Sequence, residues 1–285
     1  MFAPRSLDWT VIIPVRGGSG SKSRLETPPG VSRELVATAI ARDSVVAAID
    51  TVGARHVLVI TADPAVAGWA ERRGATAVIE PRPGLNLAVG VALNHSPGGP
   101  TAVLLGDVPA LRPEHLRAAL DTASALDRAF VPDRAGRGTV LLTGAAPALL
   151  RPRFGPDSAA RHRAAGHREI AAPARLRLDV DTAADLELAR QVGLGRWTRR
   201  ASTPVDLRED ARVPHVQASV HSFDARTGRG SVLLDDGVEL SFDAAAFDAS
   251  GLRTLNPGER LRVVVEGDSV TSLWMTGVGE SHRVA

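Results

Sequence analysis

The sequence predicts an α/β layered domain built on a mainly parallel sheet, followed by a small all-β barrel. Strand-like and helix-like stretches alternate over the first two-thirds of the 285 residues. The strand-like stretches are near-continuous apolar runs, as strands covered on both faces must be. After a polar, arginine-rich stretch at 193–214, only short strand-like segments and turns follow, which points to a barrel. The expected division is an α/β domain over 1–200, a linker over 201–213 and a barrel over 214–285.

The elements follow in order. "WTVIIPV" (9–15) is apolar and β-branched and reads as the first strand. A Gly/Ser loop comes next, then "SRELVATAIARDSVVAAID", whose apolar spacing is helical with Ser32 as N-cap. "HVLVITAD" (56–63) reads as a buried strand. Pro64 opens the helix "PAVAGWAERRG" and Gly74 closes it. "TAVIE" is a short strand, "GLNLAVGVALNH" a helix beginning near Asn86, and "TAVLLGD" (101–107) a third buried strand. "RPEHLRAALDTASAL" is an amphipathic helix with Pro113 near its start. "FVPD", "GTVLLTG" and "RLRLDVD" read as further strands, and "TAADLELARQVG" as a helix capped by Thr182. The tail holds five strand-like segments, and the Asp-Gly of "DDGVEL" marks a hairpin.

Composition removes several classes of chemistry. The chain has no cysteine, so disulfides, thiolate metal sites and cysteine nucleophiles are excluded. A net charge of +2 gives little reason to expect nucleic acid from bulk electrostatics. No apolar run approaches membrane-spanning length and no signal-peptide core opens the chain. A cytoplasmic protein with no membrane partner is expected.

One residue stands out by its rarity. Lys22, in "SGSKSR", is the sole lysine among 34 lysines and arginines. Chance is the bland explanation. The functional one is that the loop after the first strand requires a compact ammonium, as nucleotide phosphates do. Gly17, Gly18 and Gly20 would let the backbone approach those phosphates, although the spacing is not that of a Walker A loop. "RPGLN", with Gly84 and Asn86, offers a second polar turn for a base or ribose.

Ligands of open α/β sheets bind beyond the carboxyl ends of the strands. Asp107 follows one such strand, and Asp179 and Asp181 lie in "LDVDT", where Asp-x-Asp puts both carboxylates on one face of an extended segment. Singly, each reads more readily as a cap. The three would form an all-oxygen pocket suited to Mg²⁺, and together with the lysine loop they favour a metal–nucleotide site. In "PRFGPDS", Gly155 frees a backbone N–H and Ser158 supplies a hydroxyl ahead of "AARHRAAGH", whose start favours an anion. Of Arg161, His162 and Arg163, at least two are expected on a solvated basic face, and His162 has no histidine at ligand spacing to make it a metal ligand.

The strings "TVIIPV…SKSRL", "TADP", "GLN", "GDVPALRP", "FVPD…GRGT", "PRFGPDSAARHRAAG", "RLDVDTAADL" and "GLGRWT" occur in this order. Over about residues 8–200 the pattern resembles the 2-phospho-L-lactate or phosphoenolpyruvate guanylyltransferases of deazaflavin coenzyme (factor 420) synthesis. "PRFGPDS" is its most specific element. The resemblance implies a GT-A-like nucleotidyltransferase fold and Mg-dependent transfer of GMP from GTP to the phosphate of a three-carbon acid, with release of pyrophosphate. It implies Asp107, Asp179 and Asp181 as metal ligands, with Lys22 and Asp107 catalytic. Thr139, Gly155 and Ser158 would hold the acid, and Val15, Arg16, Lys22, Gly84 and Asn86 the nucleotide. Arg16 stands where the family usually carries lysine. Hand-over of the product to the next enzyme of the pathway would follow. Phosphoenolpyruvate, 2-phospho-L-lactate and 3-phosphoglycerate remain open, as does a molybdenum-cofactor or sugar-nucleotide type of transferase.

The tail resembles a cold-shock domain. Phe223, Phe242 and Phe247 are retained, but Arg229 and Ser231 stand where base-stacking aromatics belong. An interaction role is therefore favoured over a nucleic-acid-binding regulator. Because the whole motif set precedes residue 200, truncation near Ala211 is expected to leave an active transferase.

Overall fold

In the computed structural model, which describes residues 9–16, 22, 24–27, 31–80, 82–203 and 215–275, the apolar strands form one seven-stranded sheet. Strands β1 (Thr10–Val15), β2 (Val57–Thr61), β3 (Thr76–Ile79) and β4 (Thr101–Leu104) run parallel. Strands β5 (Arg128–Pro132) and β6 (Thr139–Gly144) form a hairpin, with β6 antiparallel to both β4 and β5. The two-residue β7 (Arg168–Glu169) adds parallel to β5, giving the order β3-β2-β1-β4-β6-β5-β7.

Successive side chains of a strand leave on opposite faces, so Ile12 and Ile13, both fully buried, belong to different cores. On the Ile13 face pack α1 (Arg33–Val52), α2 (Pro64–Glu71), α4 (Pro113–Ala123) and α8 (Arg196–Ala201). On the Ile12 face pack α3 (Leu85–Leu93) and α5 (Ser158–Ala164), around Phe130 and Phe154. Helix starts match their sequence signals. Ser32 accepts from Leu35 N at the head of α1, a cap worth about 1 kcal/mol. Thr182 and Asp185 make a reciprocal capping box at the head of α7 (Ala183–Val192).

Two expectations fail within this domain. "RLRLDVD" is not a strand: Ala174–Arg177 makes one helical turn (α6), and 178–181 is unpaired chain. The flanks of β4, β6 and β5 are already occupied, so this segment instead crosses the carboxyl edge, tied there by Val180 N donating to Asp107 O at 2.9 Å. The arginine-rich stretch after Gly193 is also not all linker. Helix α8 packs on α1 with Trp197 buried, and Asp43 accepts from Trp197 N at 3.1 Å and Thr198 N at 2.8 Å. Most of the expected linker, 204–213, lies outside the described residues.

The tail closes into a five-stranded barrel, β10-β12-β11-β8-β9. Its strands are β8 (Val216–Asp224), β9 (Arg229–Leu234), β10 (Glu239–Phe242), β11 (Arg260–Glu266) and β12 (Ser269–Met275). A helix, α9 (Ala244–Ser250), interrupts them and was not expected. Its signals are present, because Asp243 accepts from Ala246 N and Gly251 ends the helix in the left-handed region. Phe242 and Phe247 are core residues of the barrel, at 3% and 2% exposure, and so are withdrawn from any base-stacking role. Among the described residues, no helix is long and apolar enough to cross a membrane.

The barrel docks on α1 and α2. Arg72 bonds Asp248 at 2.8 Å and donates to the carbonyls of Ala225 and Arg226, at 3.2 and 3.0 Å. Arg253 pairs with Asp63 and Glu34, and the buried Arg42 donates to Leu252 O at 3.2 Å. The two surfaces meet so closely that a Cβ on Gly68 would stand 2.9 Å from Ala225 O. Truncation near Ala211 would leave Arg42, Asp63 and Arg72 without these partners, which argues against a stable, fully active fragment. Both members of the Arg72–Asp248 pair are largely buried, so removing either strands the other. A double-mutant cycle with Arg72→Ala and Asp248→Ala, read by chemical denaturation, is expected to give a coupling of about 1–3 kcal/mol. Strict additivity would mean that the pair does not hold the barrel in place.

Candidate functional site

The carboxyl ends of β1 and β4 lie side by side. Gly106 permits this, since a Cβ there would stand 3.2 Å from Pro14 O and crowd Val15. Asp107 is thereby brought to the edge beside the loop that follows β1. From that loop Lys22 reaches back, its Nζ 2.9 Å from Asp107 Oδ2 and 2.8 Å from Asp181 Oδ1. Arg24, exposed, holds the other oxygen of Asp181 at 3.1 Å. Lys22 has φ 54°, in the left-handed region that an L residue enters at a cost of about 1 kcal/mol or more. Its side chain is only 13% exposed. Burial alone would pull the ammonium's pKa down, but Asp107 and Asp181 outweigh it and hold the pKa above the ordinary lysine value. Asp181 moves the opposite way: burial raises its pKa, and Lys22 and then Arg24 bring it below the usual carboxylate range.

Among the described residues, Asp179 has no such neighbour. Burial, then the charges of Asp107, Asp133 and Asp181, push its carboxyl up to about 7. Asp107 Oδ1 is buried with no hydrogen-bond partner. Three carboxylates thus share this edge with one enclosed ammonium, and their donor set is hard oxygen throughout. That chemistry fits a divalent cation of the Mg²⁺ type, which would relieve the unpartnered oxygen and the crowding at Asp179. Among the described residues, no three carboxylate or imidazole groups are already drawn around one metal position, and Lys22 bridges two of them instead.

A second cluster lies one strand away. Because β6 is antiparallel to β4, its first residue, Thr139, emerges at the same edge, and Leu105 N donates to Val140 O at 2.9 Å. Thr139 Oγ1 lies 2.8 Å from His162 Nδ1 on α5, and His162 Nε2 accepts from Arg153 N at 2.9 Å. Gly155, at φ 117°, precedes Asp157 and Ser158, which open α5. His162 thus links Thr139 to the turn that carries Gly155 and Ser158, with Thr139 and Ser158 both 2% exposed. Ser158 is the first residue of a seven-residue helix rather than a residue ahead of it.

The nucleotide residues fare unevenly. Val15 ends β1 at this edge and Arg16 is exposed beside it. Gly84, at φ 129°, starts α3. The Asn86 side chain is committed in part to the backbone: its Nδ2 donates to Phe154 O at 3.0 Å and its Oδ1 accepts from Phe154 N at 2.9 Å, which leaves a second N–H on an exposed residue. Gly17, Gly18 and Gly20 lie outside the described residues. Of the three basic residues on α5, Arg161 and Arg163 are exposed as expected, whereas His162 is fully buried. The i, i+4 spacing from Ser158 to His162 shows both on one helix face, a signal that charge-based reasoning passed over.

Residues 9–198 match the family model described as "Guanylyl transferase CofC like". The chain belongs to that family. A phosphoenolpyruvate guanylyltransferase of Streptomyces scabiei (strain 87.22) is 41% identical over 208 residues, covering 69% of this chain and 96% of the relative. One from Salinispora arenicola (strain CNS-205) is 43% identical over 195 residues, covering 67% and 91%. The CofC-like region contains both residue clusters and ends before the barrel.

His162 also makes the fold sensitive to acid. Burial first, then the positive surroundings of His167, Arg161 and Arg153, lower its pKa to about 4. In the unfolded chain the ring binds a proton near 6.5. Between those values the unfolded state holds more protons, so stability is fully present above about 6.5 and declines as the pH falls toward 4. The slope contributed by this residue is up to roughly 1.4 kcal/mol per pH unit. Urea denaturation of the parent and of His162→Gln between pH 7.5 and 4 checks this. The parent is expected to lose stability more steeply, and parallel curves would contradict the assignment.

Proposed function

We propose that the chain transfers GMP from GTP to phosphoenolpyruvate, with Mg²⁺, and releases pyrophosphate in the synthesis of the deazaflavin coenzyme. The observation that carries this reading is the enclosed Lys22 between Asp107 and Asp181, set one strand from the Thr139–Gly155–Ser158 cluster, in a guanylyl transferase family chain. The names of the similar proteins support phosphoenolpyruvate as the acid.

In this reading an oxygen of the substrate phosphate forms a bond to the α-phosphorus of GTP. The bond from that phosphorus to the bridging β-oxygen breaks, and pyrophosphate leaves with the electron pair. The attacking oxygen is already anionic at neutral pH, so no side chain has to remove a proton. Asp107, Asp179 and Asp181 would hold Mg²⁺, which when bound supplies charge neutralisation to the phosphates. Lys22 places an ammonium where negative charge accumulates as pyrophosphate departs. Thr139, Gly155 and Ser158 orient the acid within a cluster largely withdrawn from water, where positioning alone contributes much of the rate. The leading role of positioning also fits a lysine held in a strained backbone conformation.

The test is pyrophosphate release from GTP and Mg²⁺ with phosphoenolpyruvate, 2-phospho-L-lactate and 3-phosphoglycerate in turn. Phosphoenolpyruvate is expected to be the fastest acceptor, and Asp107→Asn is expected to abolish turnover while leaving the melting transition in place. Release with none of the three acids, or an active Asp107→Asn, sinks the assignment. Lys22→Arg keeps the charge but brings a broad fork into a space enclosed by two carboxylates. Its kcat/KM for GTP is expected to fall about 10²–10³-fold, as when a single donor to transition-state charge is lost. Near-parental activity with arginine would make the lone lysine an accident of composition.

A further inference from the structure

We propose that His162 is a positioning residue for the acid: a neutral ring protonated on Nδ1, it sets the Thr139 hydroxyl so that its proton points to the substrate. The proposal rests on the reading of Thr139, Gly155 and Ser158 given above.

The assignment follows from what each atom can donate. A main-chain N–H only donates, so Arg153 N, 2.9 Å from His162 Nε2, requires a lone pair there. A neutral imidazole has one N–H, which must then be on Nδ1. That N–H points at Thr139 Oγ1, 2.8 Å away, and the hydroxyl accepts it. A hydroxyl has one proton and two lone pairs. With a lone pair committed to His162, the Thr139 proton remains, and among the described residues no other group accepts it. A carboxylate or phosphate oxygen of the acid is the acceptor this arrangement awaits.

The neutral ring is enforced by its surroundings. It is fully buried, packed edge-on against Phe154 at 5.1 Å and against His167 at 5.7 Å between centroids. The charged or titratable groups that face it are His167, Arg161 and Arg153, and none is a carboxylate. Burial and these neighbours keep the ring from taking a second proton near neutral pH. Protonation would also turn Nε2 into a donor facing Arg153 N–H and break that bond.

The same ring joins two parts of the cluster that are distant in the chain. On one side it fixes Thr139 at the start of β6. On the other it holds Arg153, while Asn86 from α3 takes both the N–H and the carbonyl of Phe154. The next residue is Gly155. His162 and Asn86 therefore clamp the approach to the acid-binding loop from two helices.

Asparagine and glutamine separate the two bonds of the ring. An asparagine amide reaches the place of Nδ1 and can still donate to Thr139. A glutamine amide reaches the place of Nε2 and can still accept from Arg153. In the full chain, His162→Asn is expected to keep the KM for phosphoenolpyruvate within about threefold of the parent. His162→Gln is expected to raise that KM roughly ten- to a hundredfold with the KM for GTP unchanged. Thr139→Val is expected to show the same defect, and combining it with His162→Gln should add little more. An equal KM for the acid in the Asn and Gln variants, or a parallel rise in both substrates' KM, overturns the proposal. Nitrogen-15 NMR of the parent ring at pH 7, with and without phosphoenolpyruvate, gives a readout that needs no turnover. A proton on Nδ1 and acid-induced shifts at Thr139 uphold the proposal even if the parent transfers GMP to no acid, an outcome that defeats only the functional reading. A proton on Nε2, or an unmoved Thr139, overturns it.

Discussion

Everything at the carboxyl edge is organised around one ammonium. Asp107, Asp179 and Asp181 approach from the end of β4 and from a chain segment crossing it, and three carboxylates so placed repel one another strongly. Lys22 neutralises part of that charge and joins Asp107 to Asp181 across the gap. The backbone accepts a left-handed conformation at Lys22 to do so, and the Gly106 close approach brings the partner strand within reach. Two of the three carboxylates are thereby settled. Asp179 and one oxygen of Asp107 are not, and a further positive charge at this edge would relieve the remaining imbalance.

Much of this was legible in the sequence because it depends on local rules. Apolar runs with β-branched residues marked β1, β2 and β4, and Ser32, Pro64 and Thr182 marked helix starts, since caps and proline act within a few residues. The lone lysine and the three aspartates were visible as residue types out of place. What escaped depends on partners far apart in the chain. "RLRLDVD" has a strand's composition, but β4, β6 and β5, whose ends it crosses, are already paired on both sides. Helix α9 was hidden within a segment whose other half is β10. His162 looked like part of a basic helix face because nothing nearby in sequence reveals that Thr139 and Arg153 converge on its ring. Asn86 looked like a free polar side chain because Phe154, its true partner, is 68 residues away.

The barrel shows the same division between local and distant information. Its hairpin and strand pattern could be read directly, and Phe242 and Phe247 proved to be core rather than surface. Its attachment could not be read. Arg72, Arg253 and Arg42 come from both sides of the interface and meet acids or carbonyls more than 150 residues away. Those contacts fall on α1, the helix that follows the Lys22 loop, and on the turn after β2. The barrel is thus packed against elements that lead directly to the reactive edge.

The reversed direction of β6 has a consequence for how such a molecule can change. A parallel strand would have presented its far end to the edge, and the residues that meet the acid would have followed the same rule as those that meet the nucleotide. Because β6 runs the other way, the cluster proposed to meet the acid is made from a strand's beginning, a hairpin and a clamped loop, while the lysine and Asp107 follow strand endings. Under the proposed reading, donor and acceptor would therefore be read by separately encoded pieces of chain. Substitutions in 150–158 would then retune the choice of acceptor while the parallel strands stay untouched, so a change of acceptor would not require rebuilding the nucleotide half.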